Sequence, residues 1–147
     1  TYTFSSSDKK VTTKYTTSDK ALDDAEAKDE DGKNILDING NKVINYGLKT
    51  LAKNQCKITA NELIARFNWL VERSIYDSSK AIPDAVKTYV ASIRTDCAEI
   101  ETAITNASDM DAFKVLYTDE LNSDDTVKTV ARIHRWTSDS TVKNYIR

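Results

Sequence analysis

The side chains able to do chemistry are few, and their spacing suits little of it. One histidine, His134, stands near Ser138, Asp139 and Ser140. A hydrolytic triad would have to use that imidazole as base, a hydroxyl as nucleophile and the acid as orienting group. No GxSxG elbow frames these residues, so His134 reads as decoration on a basic strand. Cys56 and Cys97 are far apart in the chain, belong to no CxxC pair and have a single His to share a metal with. That excludes a structural zinc site built within one chain. Two buried thiols are expected, since a disulfide suits a short, cysteine-dense secreted framework, which this is not.

Paired carboxylates occur at Asp23-Asp24, Glu99 with Glu101, and Asp124-Asp125. Nearly all sit in polar settings that give no cause for a raised pKa, so they read as solvated faces rather than acid/base pairs. Asp29-Glu-Asp31-Gly32 resembles the core of a calcium loop. With Gly32 at the sixth loop position, however, Ala27 falls at the first and Ile38 at the twelfth, where carboxylates are required. The glycines, Gly32, Gly40 and Gly47, assemble neither a phosphate-cradling loop nor a dinucleotide fingerprint. Asn106-Ala-Ser108 matches a glycosylation sequon, read as a helix-end coincidence because no secretory signal precedes it. No catalytic, cofactor-binding or metal residue is assigned, and the expectation is a non-enzymatic protein without cofactors.

The 147 residues carry 21 Lys plus Arg against 23 Asp plus Glu, a net charge of −2. That balance gives no global pull toward phosphate backbones or anionic lipid, so nucleic-acid binding is disfavoured. No run approaches the length of a membrane span, and no membrane partner is expected. Charge is nonetheless uneven. Residues 59–125 are net −7, whereas 126–147 are net +4 through Lys128, Arg132, Arg135, Lys143 and Arg147 against Asp139. Such a tail would clamp an acidic partner or pair with the chain's own acidic helices, with nucleic-acid contact through Arg132, Arg135 and Trp136 as a third option. Arg132, Arg135, Trp136 and Tyr145 are its candidate contact residues.

The elements that position these groups follow from pattern. Residues 1–18 hold ten Ser or Thr, with Tyr2, Phe4, Val11, Thr13 and Tyr15 at a period of two. This reads as an extended β-arm whose aromatic face, Tyr2, Phe4 and Tyr15, fills a neighbour's pockets. Residues 19–33 carry seven carboxylates and only one large apolar group, and read as an acidic, solvated linker. Asn39-Gly40 between apolar runs predicts a β-hairpin over 34–45 with a type I′ turn. Leu48, Leu51 and Ala52 suggest a short helical turn. Thr59-Ala-Asn-Glu62 reads as the capping box of a helix that runs to about Tyr76, with Leu63, Phe67, Leu70, Val71 and Ile75 as its stripe. Trp69 lies at the edge of that stripe.

A second and longest helix is predicted from about Pro83 to Asn106. Val86, Val90, Ile93, Cys97, Ile100 and Ile104 form its seam. Ser108-Asp-Met-Asp111 caps a brief third helix. Past the Asn122–Asp125 loop the β-branched content favours strands at 130–136 and 141–146 over a helix across 126–136. No internal repeat stands out. The fold class is therefore α+β, a helical-hairpin body with an N-terminal β-arm, a β-hairpin and a C-terminal β segment. Its parts are an arm (1–18), a linker (19–33) and one small domain (34–147).

The stretch Tyr89-Val-Ala-Ser-Ile-Arg94, Glu99-Ile-Glu-Thr-Ala-Ile104, then Asn106 to Phe113 and Leu116, resembles the helical segment of tail-associated and fibre-assembly proteins of tailed bacteriophages. The likeness covers about 30 residues. It departs from the family in lacking the usual Trp-Pro ending. What it implies is a structural virion component of tail, baseplate or head-to-tail region, made in the host cytoplasm and assembled with itself and other virion proteins. The other function carried from the sequence is a soluble assembly factor whose helix seam grips a partner helix. A small hydrolase using His134 comes third.

Overall fold

The structure is a computed structural model that describes residues 2–5, 10–13 and 20–146. It is an α+β protein of four helices with small antiparallel strand pairs. Strands β1 (Tyr2–Ser5) and β2 (Lys10–Thr13) pair antiparallel, with Tyr2 opposite Thr13 and Phe4 opposite Val11. The alternation of the arm is thus divided over two paired strands instead of one extended strand.

The body is a helical hairpin of α1 (Leu48–Ala65) on α3 (Asp84–Asn106). Along α3, Val86, Ile93, Cys97, Ile100 and Ile104 are buried as their spacing predicts, and Val90 packs at their edge. Tyr89 joins them, its ring meeting that of Phe67 edge-on with centroids 5.5 Å apart. Because α1 covers this seam with Ala52, Cys56 and Ala60, small side chains let the two helices approach closely.

The start of α1 departs from the sequence reading. The helix begins at Leu48, and Thr59 and Glu62 lie within it rather than at a cap. What permits the earlier start is the acidic segment. The Leu48 and Lys49 N–H groups donate to the Ala21 and Leu22 carbonyls at 2.9 and 3.0 Å. Asp24 accepts from the Gly47 N–H at 2.7 Å and from the Thr50 hydroxyl at 3.0 Å. The Gly47, Leu48 and Lys49 N–H groups are free donors of a first helical turn, satisfied here from residues more than twenty positions upstream. A Cβ on Gly47 would lie within 2.6 Å of backbone atoms of Leu22 and Asp23, so only glycine admits this approach.

The predicted helix over 59–76 is interrupted. Arg66 and Phe67 form a turn between α1 and a separate helix, α2 (Asn68–Tyr76). Phe67 and Leu70 stay buried while Val71 and Ile75 emerge into solvent, which is why the stripe does not hold to its end. The short helix α4 (Met110–Val115) is capped by Asp109, not Ser108. Its carboxylate accepts from the Ala112 N–H at 2.8 Å, and this bond chiefly lowers the Asp109 pKa.

Residues 25–45 form a three-armed β junction, in which the segment read as linker is one participant. The stem pairs β3 (Ala25–Glu26) with β4 (Ile44–Asn45), and two hairpin arms bridge Lys28 to Asn34 and Leu36 to Lys42. At the centre, Ala27 N–H donates to Val43 at 2.8 Å, Val43 to Ile35 at 2.9 Å, and Ile35 to Ala27 at 2.9 Å. The three residues are eight apart, so a cyclic set of bonds rests on an eight-residue repeat. This corrects the expectation that the chain has none: Asp29-x-x-Gly32 recurs as Asp37-x-x-Gly40.

Both arms end in the same turn. In each, the Asp N–H donates to the carbonyl four residues on and the Gly N–H returns to the Asp carbonyl. The Asp carboxylate meanwhile accepts two further backbone N–H groups. Only the Gly takes positive φ, 78° at Gly32 and 81° at Gly40. The hairpin at Asn39-Gly40 is therefore a type I turn with a glycine bulge, not the predicted type I′ turn. The turn recurs between β5 (Glu120–Leu121) and β6 (Val127–Thr129), with Asp125 at φ 62° in the glycine position.

The C-terminal strands expected at 130–136 and 141–146 are not formed. Strand β6 ends at Thr129, and the chain then makes two 3-10 turns, Arg132–His134 and Lys143–Tyr145. These turns set Ala131 and Val142 into the core and pack Ile133, Trp136, Tyr145 and Ile146 on its edge. Burial against the helices outweighs the β propensity of the branched residues.

Candidate interaction surface

The tail residues singled out by sequence are engaged inside the chain. The Arg132 guanidinium donates to Glu99 on α3 at 2.7 Å. Thr137 N–H donates to Asp96 at 2.7 Å, and Arg66 pairs with Asp139 at 3.8 Å. Arg135 donates to the Val130 carbonyl, Trp136 packs against the core, and the Tyr145 carbonyl accepts from the Trp69 indole at 2.9 Å. Of the two docking surfaces open to the basic tail, the chain's own acidic helix is the one the fold provides. Asp139 is spent on Arg66 while the His134 ring lies exposed, so the triad imagined from sequence is not assembled. Tyr2 and Phe4 lie two apart on β1, and Tyr15 falls outside the described residues.

What the fold leaves open is apolar surface in three places. The first is a groove of about 860 Å³ between the start of α1 and α4. Leu48, Leu51 and Ala52 form one wall, Met110, Phe113 and Tyr117 the other, with Lys114 at its rim. Leu51 is 42% and Tyr117 46% exposed, so the walls are only half covered by the chain itself. Phe113 and Tyr117 hold each other at 5.3 Å between ring centroids, and burial raises the Tyr117 pKa. The second is the β junction, where Ile35, Leu36 and Tyr46 are exposed and Ile38 projects wholly into solvent from a turn. The third is α2, which presents Val71, Ile75 and Tyr76.

The groove and the junction are connected through the backbone, since β4 runs into α1 across Tyr46 and Gly47. Two exposed ion pairs bridge the small strand pairs, Lys42 with Glu26 and Lys128 with Glu120. Lys42 lowers the Glu26 pKa chiefly through its hydrogen bond, and Lys128 does the same for Glu120. Sequence reasoning missed the groove because its two walls come from elements some sixty positions apart, each apolar residue there explicable as core. The one available signal was Leu48, Leu51 and Ala52 at helical spacing.

Among the described residues no cluster of His, Cys, Asp and Glu could hold a metal ion, and no helix is long and apolar enough to cross a membrane. No protein-family model matches the chain, and no curated protein or solved structure matches it.

Proposed function

We propose that the chain is a non-enzymatic structural subunit that works by contact with copies of itself and with neighbouring proteins, as a virion component of a tailed phage would. The observation that carries this reading is the half-open groove between α1 and α4, continuous along the chain with the apolar junction. Apolar patches of this kind, in contrast to singly scattered hydrophobic residues, are what protein interfaces use. Its occupant in this reading is the N-terminal β-arm of a second copy. The arm precedes Ala21 and Leu22, whose carbonyls accept from the Leu48 and Lys49 N–H groups, and Leu48 lines that groove. Pairing in the arm sets Phe4 opposite Val11 and Tyr2 opposite Thr13, a two-stranded ribbon rich in apolar residue types. The assembly-factor alternative loses its stated surface, because the α3 seam is filled by α1.

Sedimentation of the full chain tests the proposal. Oligomers are expected, and deletion of residues 1–18 or the change Leu51→Asp should each return the chain to a monomer. A wild-type monomer at high concentration would overturn self-assembly. Mass spectrometry of purified particles tests the virion setting, and absence of the chain from them would remove it.

A further inference from the structure

We propose that Cys56 and Cys97 are a redox-modification site, a pair of thiols poised to close into a disulfide that staples α1 to α3. The only two cysteines of the chain are 41 positions apart in sequence, yet their sulfurs lie 3.4 Å from each other across the helix pair. The Cys56 thiol donates to the Cys97 sulfur and, at 3.7 Å, to the Cys97 carbonyl.

The two sulfurs are not equivalent. Cys56 is 3% exposed and walled in, while Cys97 is 9% exposed and lines an open groove of about 400 Å³. Lys57 and Arg94 line that groove as well, with Lys57 paired to Glu101 at 3.2 Å. Burial, then the Cys97 sulfur, pushes the Cys56 thiol up to about 12. Because a reagent in the groove meets Cys97 and not Cys56, Cys97 is the entry point and Cys56 the resolving group.

The oxidant is a low-molecular-weight disulfide. The Cys97 thiolate attacks one sulfur of the reagent, breaking its S–S bond and releasing one thiolate as a mixed disulfide forms on Cys97. The Cys56 thiolate then attacks the Cys97 sulfur, forms the Cys56–Cys97 bond and expels the second thiolate. Two electrons pass to the reagent, whose two thiolates take up the protons lost by the cysteines. A protein made in a reducing cytoplasm and released from it would meet such oxidants only afterwards, so the staple would form on the finished fold. The site does not depend on what occupies the apolar groove.

The test is exposure of the folded full chain to 2-hydroxyethyl disulfide, followed by peptide mapping. We expect both thiols lost, one intrachain link between the Cys56 and Cys97 peptides, and reversal by dithiothreitol. Cys56→Ser should stop at a mixed disulfide on Cys97, and Cys97→Ser should react at least tenfold more slowly. Two thiols surviving in the folded chain, under conditions that oxidise the urea-unfolded chain, would overturn the proposal. So would links formed only between chains. Equal reactivity of the two serine variants would overturn the assigned order of attack.

Discussion

Replacing Gly47 by alanine tests the contact on which the start of α1 depends. Its backbone, at φ −76° and ψ 174°, suits any residue, so no conformational penalty enters. Local effects nearly cancel: a helix N-cap prefers glycine to alanine by up to about 1 kcal/mol, while alanine stiffens the unfolded chain by about 0.4–1 kcal/mol. What remains is the steric term. The new methyl would overlap backbone atoms of Leu22 and Asp23, which cannot swing aside as a side-chain tip can. Residues 21–24 must then draw back, and the bonds from Gly47, Leu48 and Lys49 are stretched or lost. At about 0.5–1.5 kcal/mol each, three such bonds set the expected loss at roughly 1.5–4.5 kcal/mol. Urea unfolding followed by circular dichroism measures this, and hydrogen exchange at Leu48 and Lys49 locates it. An unchanged midpoint, within about 0.5 kcal/mol, together with unchanged protection of those two amides, would refute the contact.

Three further outcomes are expected. Ile93 is fully buried in the α3 seam, so Ile93→Ala should cost about 2–5 kcal/mol in the same urea assay. Val142→Ala should destabilise the chain by about 1–2.5 kcal/mol, more than Arg132→Gln at about 0–1 kcal/mol. The reason is that Val142 is fully buried whereas the carboxylate paired with Arg132 is largely exposed. The Asn41 backbone N–H, then its side chain, lowers the Asp37 pKa below the ordinary carboxylate value. The unfolded chain binds that proton more readily, so the contribution of the turn is present above the ordinary value and lost as pH falls through the lower, folded one. Amide exchange at Asn39 and Asn41, followed downward in pH, should show protection failing in that window, and Asp37→Asn should abolish the transition.

Legibility tracked the range of the forces involved. The α3 seam was readable because Val86, Ile93, Cys97, Ile100 and Ile104 carry one face at helical spacing, and one face must be buried whatever covers it. The capping box at Thr59 was misleading because a cap is favourable only where donors are free, and the donors at Leu48 and Lys49 had already been met from residues 21 and 22. The β junction lay in between. Its Asp-x-x-Gly spacing stood in the sequence at a period of eight, but its meaning required the cyclic bonds among Ala27, Ile35 and Val43.

Sequence by itself determined the mixed α+β class, the helix seam, the third helix and the turn residues, all of which depend on periodicity or on φ within a few positions. Tertiary structure alone decided where α1 begins, that Cys56 meets Cys97, and that the tail coils into 3-10 turns against the helices instead of pairing as strands. Each of these depends on a contact between residues twenty to forty or more positions apart. Its free energy comes from burial and hydrogen bonds that no local window of sequence contains, and for the tail that gain exceeds the preference of Val, Thr and Ile for strands.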